Sequence, residues 1–288
     1  MTQIAVLTPD PADPSYASQW PGVLARLTQA LALAGAEVVP TAWTDHVDDA
    51  SGLAAYPLVL ATIVWGYHRN HAQWLKACAT WQTAGVRIAN PASVLGWNSD
   101  KRYLQRLAER GAPVPETLWI ESATEADVVA AFDTLGAEAI VVKPAVSGGA
   151  WRTQRLSRGE PVADLPTGLT MIQPYLDAIE SEGETSLLFF GGRFSHAVNK
   201  RPVPGDFRIQ VQYGGDYRRI DPAPETLAVA ERILSMIDEP LLYARVDLAP
   251  GADGAWRLME LELIEPDFYL GHDPKSGALF AEAVRAVI

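Results

Sequence analysis

The sequence predicts an α/β protein, with a parallel, helix-covered sheet at the N-terminus and a strand-rich remainder. Two observations predict it. In residues 1–92 short apolar runs alternate with segments of helical periodicity, the pattern of a parallel sheet wound by helices. From residue 171 onward the apolar runs have strand length, and only residues 225–237 carry a helical pattern among them.

Residues 3–8 form an apolar run that Pro9 ends, a first buried strand. Residues 21–34 place Val23, Leu24, Leu27 and Leu31 at near-helical spacing before Gly35. Residues 37–41 and 58–64 are the next two strands, residues 72–84 a helix that Gly85 stops, and residues 86–90 a short fourth strand. A helix is expected over 99–109, opened by Lys101 and carrying Tyr103, Leu104 and Leu107 on one side. Strands at 116–120 and 139–143 flank a helix at 125–135, and residues 147–150 form a small flexible turn. Strands follow at 171–175, 185–190, 193–199, 207–213, 243–249 and 256–263. These breaks divide the chain into 1–92, 93–170 and 171–288.

The net charge of −12, from 35 acidic and 23 basic residues, speaks against a nucleic-acid partner, which needs a basic face. Cys78 is the single cysteine, so no intrachain disulfide forms. Its helical spacing with Trp74 and Trp81 reads as a buried apolar position. No apolar run reaches membrane-spanning length and the N-terminus lacks a basic leader, so a soluble, cytoplasmic protein without a membrane partner is expected. The choice between monomer and homo-oligomer stays open.

Several segments carry residues suited to chemistry. In WRLMELEL, Glu260 and Glu262 share one face of a strand while Leu261 and Leu263 share the other. Paired carboxylates repel unless a cation lies between them. Asp247, in YARVDLA, adds a third oxygen, and three carboxylates without His or Cys favour Mg²⁺ or Mn²⁺ over Zn²⁺. Lys143 closes the run AIVVKP just before Ser147, Gly148 and Gly149, a turn whose backbone N–H groups can approach phosphate. A lysine reaching solvent before an ordinary turn reads equally well.

Lys200, Arg208 and Arg245 put three cations on strands of the same half, as a triphosphate beside an acidic metal cluster requires. Each could instead be half of a structural ion pair, Arg245 above all. The loop WGYHRN follows the third strand, where ligands collect on parallel sheets, so Tyr67, His68 and Arg69, together with Tyr16, are candidates for substrate contact. No GxGxxG follows the first strand, which disfavours a nicotinamide-dependent oxidoreductase.

The order of these features resembles the ATP-grasp superfamily: a lysine-led helix, VVKP with a small-residue loop, QPYL ahead of a Gly-Glu pair, a downstream arginine, then VD and ELE. More narrowly it is similar to the glutathione-synthetase-type and RimK-type carboxylate–amine ligases, over residues 98–266. The resemblance implies an ATP-grasp fold: a Rossmann-like parallel N-terminal domain, a small α+β lid and a mostly antiparallel C-terminal subdomain. It implies that Lys101 and Lys143 contact the ATP phosphates, Lys143 also near the adenine, under a closing loop that contains Ser147, Gly148 and Gly149. Gln173, Pro174, Tyr175 and Leu176 would be the hinge that reads the adenine edge, and Glu184 would bind the ribose. Lys200 and Arg208 would be catalytic, neutralising the γ-phosphate and the acyl-phosphate transition state. Asp247, Glu260 and Glu262 would hold two Mg²⁺ (or Mn²⁺) ions.

Two features depart from that pattern. Glu262 stands where the family usually has Asn, and EPDFYL replaces a small-residue loop common in glutathione synthetases. The implied activity is Mg-dependent: ATP converts a small-molecule carboxylate, of an amino acid or peptide, into an acyl-phosphate that an amine attacks. Two alternatives stay open. One is intramolecular ring closure, as in the D-cycloserine-forming ATP-grasp enzymes that the chain also resembles. The other is a nucleotide-binding regulatory protein without turnover.

Overall fold

The computed structural model describes residues 1–203, 209 and 214–288. Arg208, and most of the strand expected at 207–213, lie outside the described residues. Three sheets organise the rest.

The first contains β1 (Thr2–Thr8), α1 (Trp20–Ala32), β2 (Ala36–Ala42), α2 (Ser51–Ala54), β3 (Val59–Leu60), α3 (His71–Thr83) and β4 (Ile88–Ala89). Its strands are parallel in the order β2-β1-β3-β4. Alternation along β1 sends Ile4 and Val6 to one hydrophobic cluster with Leu27 and Leu31, and Ala5 and Leu7 to another with Trp74 and Trp81. Cys78 belongs to the second cluster, where burial pushes its thiol up to about 12.

Of the helix expected over 99–109 only α5 (Tyr103–Glu109) forms; α4 (Ala92–Asn98) precedes it, and Lys101 lies in the turn between the two. Local hydrogen bonds explain the break. Ser99 Oγ donates to Gly96 O at 2.6 Å, and Arg102 N donates to the Asp100 carboxylate at 3.0 Å. Lys101 N instead donates to Ala145 O at 2.9 Å, which ties the turn to the second sheet.

That sheet comprises β5 (Leu118–Glu121), β6 (Ala139–Pro144), β7 (Gln154–Ser157) and β8 (Leu169–Pro174), all antiparallel in the order β5-β8-β6-β7. Helix α6 (Glu125–Thr134), opened by a capping box of Thr124 and Asp127, packs Val128 and Phe132 against Ile140, Val142 and Ile172. Lys143, one residue out of phase with Val142, therefore points to the opposite face. Residues 171–174 pair with β5 and β6 here, so the boundary expected at 170/171 runs through β8.

The third sheet is antiparallel in the order β11-β10-β9-β12-β13. Its strands are β9 (Glu184–Phe190), β10 (Arg193–Arg201), β11 (Asp216–Ile220), β12 (Tyr243–Pro250) and β13 (Trp256–Glu262), with α7 (Ala178–Ser181), α8 (Pro224–Leu234) and α9 (Ala278–Arg285) beside them. The register sets Lys200 opposite Glu184, Asp247 opposite both Ser186 and Glu260, and Arg245 opposite Glu262. Paired residues share a face, so all seven stand on one side of the sheet. Leu187, Phe189, Val246, Leu248 and Leu261 fill the other.

β13 is an edge strand, and side chains close its open edge. Leu261 N donates to Tyr103 Oη at 2.9 Å. Asn98 Nδ2 donates to Leu261 O, and Leu263 N donates to Asn98 Oδ1, each at 2.9 Å. These bonds replace a neighbouring strand and fix the backbone that carries Glu260 and Glu262.

Gly183 has φ +83°, and a Cβ on it would lie 2.7 Å from Lys200 O. Gly183→Ala is therefore expected to destabilise the fold by about 2 kcal/mol or more, through left-handed strain and displacement of β10. Chemical denaturation checks this, and a wild-type midpoint would refute it. Among the described residues no helix is long and apolar enough to cross a membrane.

Candidate active site

Asp247, Glu260 and Glu262 each offer an oxygen within 4.8 Å of the others. Arg245 clamps two of them: its Nε lies 3.0 Å and its Nη2 2.9 Å from Asp247 oxygens, and Nη2 also donates to Glu262. Ser186 Oγ donates to Asp247 at 2.5 Å, and Lys200 Nζ stands 2.6 Å from Glu184 and 3.5 Å from Asp247. Burial would raise the Asp247 carboxyl, but Arg245 and Lys200 hold it at about 2. Glu262 goes the other way. Burial, with the charges of Glu260 and Asp247, pushes it to about 8 despite Arg245. Three crowded oxygen donors with incompletely balanced charge, and no His or Cys in the group, fit a hard divalent cation such as Mg²⁺.

Two lysines face this cluster. Lys101 Nζ lies 2.5 Å from Glu260 Oε1 and donates to Ser147 O at 3.5 Å. Burial opposes ionisation of Glu260, yet Lys101 and Lys143 outweigh it and hold the carboxyl below its usual value. Lys143 is half-buried; desolvation and the neighbouring Lys101 lower its pKa to about 8. It makes no ion pair among the described residues, so its charge is available to an anion in the cleft.

At the hinge, Gln173 and Pro174 end β8, and Tyr175 and Leu176 follow it. The Gln173 side chain donates to Thr117 Oγ1 at 2.9 Å. A groove of about 870 Å³ opens beside the hinge, lined by Ala139, Arg155, Pro174, Tyr175 and Leu176 among others. Arg155 stacks over the Tyr175 ring at 4.5 Å. Glu184, expected at the ribose, is engaged by Lys200.

The N-terminal candidates separate into two groups. His68 meets the glycine turn: a Cβ on Gly148 would lie 3.1 Å from its Nδ1, and Trp151 sits 5.6 Å from its ring. Tyr67 is buried against Trp74 at 4.9 Å. Tyr16 and Arg69 instead form a rim cluster, with Arg69 5.0 Å over the Tyr16 ring and 2.8 Å from Asp13. Sequence reading did not single out Ser186, Tyr269 or Glu265. Ser186 carried a signal, being two residues from Glu184 on the same strand. Glu265 and Tyr269, whose ring lies 5.3 Å from the Arg245 guanidinium, both fall in the EPDFYL segment that departs from the family pattern.

A family profile described as the N-terminal domain of D-cycloserine synthetase DcsG matches residues 4–90. The cycloserine biosynthesis protein DcsG of Streptomyces lavendulae is 32% identical over 264 residues, which cover 84% of this chain and 86% of that protein. The chain belongs to the DcsG family. The crystal structure of D-cycloserine synthetase DcsG matches with a TM-score of 0.80 and 26% identity over 99% of both chains. D-alanine–D-alanine ligase of Bacillus anthracis matches at 0.70 over 100% of this chain and 96% of that one, but at 16% identity the likeness is one of fold. The fold is ATP-grasp, as the motifs implied, and the chain is an ATP-dependent carbon–nitrogen ligase of the ADP-forming class.

Proposed function

We propose that this DcsG-family ligase closes a ring, joining the carboxylate and a nitrogen of one small amino-acid substrate to give D-cycloserine or a close analogue. The likeness to D-cycloserine synthetase over nearly the whole of both chains supports this reading. D-cycloserine contains an amide between its carboxyl carbon and a nitrogen borne on oxygen. Opening that amide gives a D-serine derivative with an O-linked nitrogen, which names the substrate class.

In this reading Lys101, Lys143 and the backbone N–H groups of Ser147, Gly148 and Gly149 hold the ATP phosphates. The hinge backbone of Gln173, Pro174, Tyr175 and Leu176 takes the adenine, and Glu184 the ribose. The middle sheet acts as a lid between the N-terminal domain and the C-terminal metal-bearing one. Asp247, Glu260 and Glu262 would hold Mg²⁺ (or Mn²⁺), which would supply positive charge to the transferring phosphate. A substrate carboxylate oxygen attacks the γ-phosphorus, the bond to the β-phosphate oxygen breaks, and ADP leaves. The substrate nitrogen then attacks the acyl carbon; the C–N bond forms, phosphate departs and the nitrogen gives up a proton. Lys200, Arg208 and Arg245 neutralise charge at both steps.

ADP release tests the proposal, with D-serine derivatives bearing an O-linked nitrogen compared against pairs of ordinary amino acids. One such derivative alone should stimulate release, with no second amine. Stimulation that requires a separate carboxylate and amine would rule out ring closure. Tight ATP binding with no stimulated release would favour a regulatory protein.

A further inference from the structure

Among the described residues, the ion pairs of the cleft involve neither Lys143 nor Glu265. Lys101 matches Glu260, Lys200 matches Glu184, and Arg245 matches Asp247 and Glu262. The spare cation is Lys143, whose partner in the reading above is phosphate. The unpaired carboxyl is Glu265, three residues beyond Glu262. Its Oε2 is buried and has no hydrogen-bond partner among the described residues. A buried carboxylate oxygen without a donor is unfavourable until one arrives.

The surroundings indicate which donor suits it. Burial removes water, and Glu262 and Glu260 add negative charge, so the carboxyl is pushed well above its usual value. The preceding residue, Ile264, packs in the hydrophobic cluster that holds Tyr67 and Trp74, which sets Glu265 beside the N-terminal loops that carry the substrate candidates. His68, beside Tyr67, also keeps a buried Nδ1 without a partner among the described residues. A dry carboxyl with no donor of its own, outside the metal-binding trio, suits an organic cation rather than a phosphate or a carboxylate.

We propose that Glu265 receives the α-ammonium group of an amino-acid substrate, an assignment that rests on the ligase reading above. The group supplies both the hydrogen-bond donor and the positive charge that the position lacks. Carboxylate and nucleophile would then be oriented from a fixed third point.

Calorimetric titrations test this on the full chain holding MgADP, with two pairs of probes. D-cycloserine is compared with isoxazolidin-3-one, and D-alaninamide with propionamide; the second of each pair lacks the amino group. Wild type should favour an amine-bearing probe at least tenfold, and Glu265→Gln should remove that preference while still binding MgADP. The proposal is overturned if the preference survives in Glu265→Gln. It is overturned also if wild type binds no amine-bearing probe, or if the variant loses MgADP as well, which marks a structural role. Preference for D-alaninamide without binding of D-cycloserine would sustain Glu265 and remove the ring-closing reading instead.

Discussion

Asp247→Asn combined with Glu260→Gln is expected to lower ADP release at saturating ATP by about a thousandfold or more. Losing the charge stabilisation of a divalent ion removes several kcal/mol from the transition state, and each ~1.4 kcal/mol is a factor of ten in rate. Two of the three clustered oxygen sets lose their charge, while Glu262 stays beside Arg245. The variant also leaves Lys101 without its 2.5 Å partner. A readout independent of turnover separates these effects. Mg²⁺ added to wild type should raise the unfolding temperature by mass action, because only the folded chain presents the trio. The double variant should show no such rise. Unaltered Mg²⁺-dependent turnover in the variant would mean that the metal site lies elsewhere.

What could be read along the chain and what could not divide by the range of the interaction. Glu260 and Glu262 were legible because strand periodicity alone puts them on one face, and Asp247 because it repeats that pattern on a nearby apolar run. The parallel N-terminal sheet was legible because short apolar runs alternate there with segments of helical periodicity. Lys101 stands in a turn and not in a helix because Ser99 and Asp100 divert the backbone locally while Lys101 N bonds Ala145 O, and only the first of these has a local sequence signature. The strand at 171–174 was grouped with the C-terminal segment although it pairs with β5 and β6, since its apolar pattern is the same whichever neighbours it has. Asn90 is a similar case: fully buried, it donates to Tyr243 O and Leu263 O and accepts from Leu242 N. It fastens the N-terminal sheet to the strands that carry the acids, and in sequence it is simply an asparagine before a proline. Glu265 lay within a segment whose departure from the family pattern was visible, but its lack of a partner is a property of packing alone.

Arg245→Met should be the most damaging single change. Sequence left Arg245 balanced between a phosphate contact and a structural ion pair; the geometry makes it a clamp on two buried carboxylates that also stacks on Tyr269. Methionine conserves much of the volume and removes the charge. It leaves Glu262 with no cation in ion-pair range among the described residues and Asp247 with only Lys200 at 3.5 Å. Breaking such a buried set by removing one partner costs about 3–5 kcal/mol, and in the proposed mechanism the loss of that cation adds a factor on the order of 10²–10³ in rate. Arg245→Lys should be intermediate, because a single ammonium cannot donate from both Nε and Nη2 positions. Mg²⁺ distinguishes the clamp from a simple packing role. If the lost charge is the cause, Mg²⁺ should stabilise Arg245→Met against denaturant more than it stabilises wild type, since a divalent ion compensates the same carboxylates. Equal stabilisation of the two chains would mean that the guanidinium matters for its shape and not for its charge.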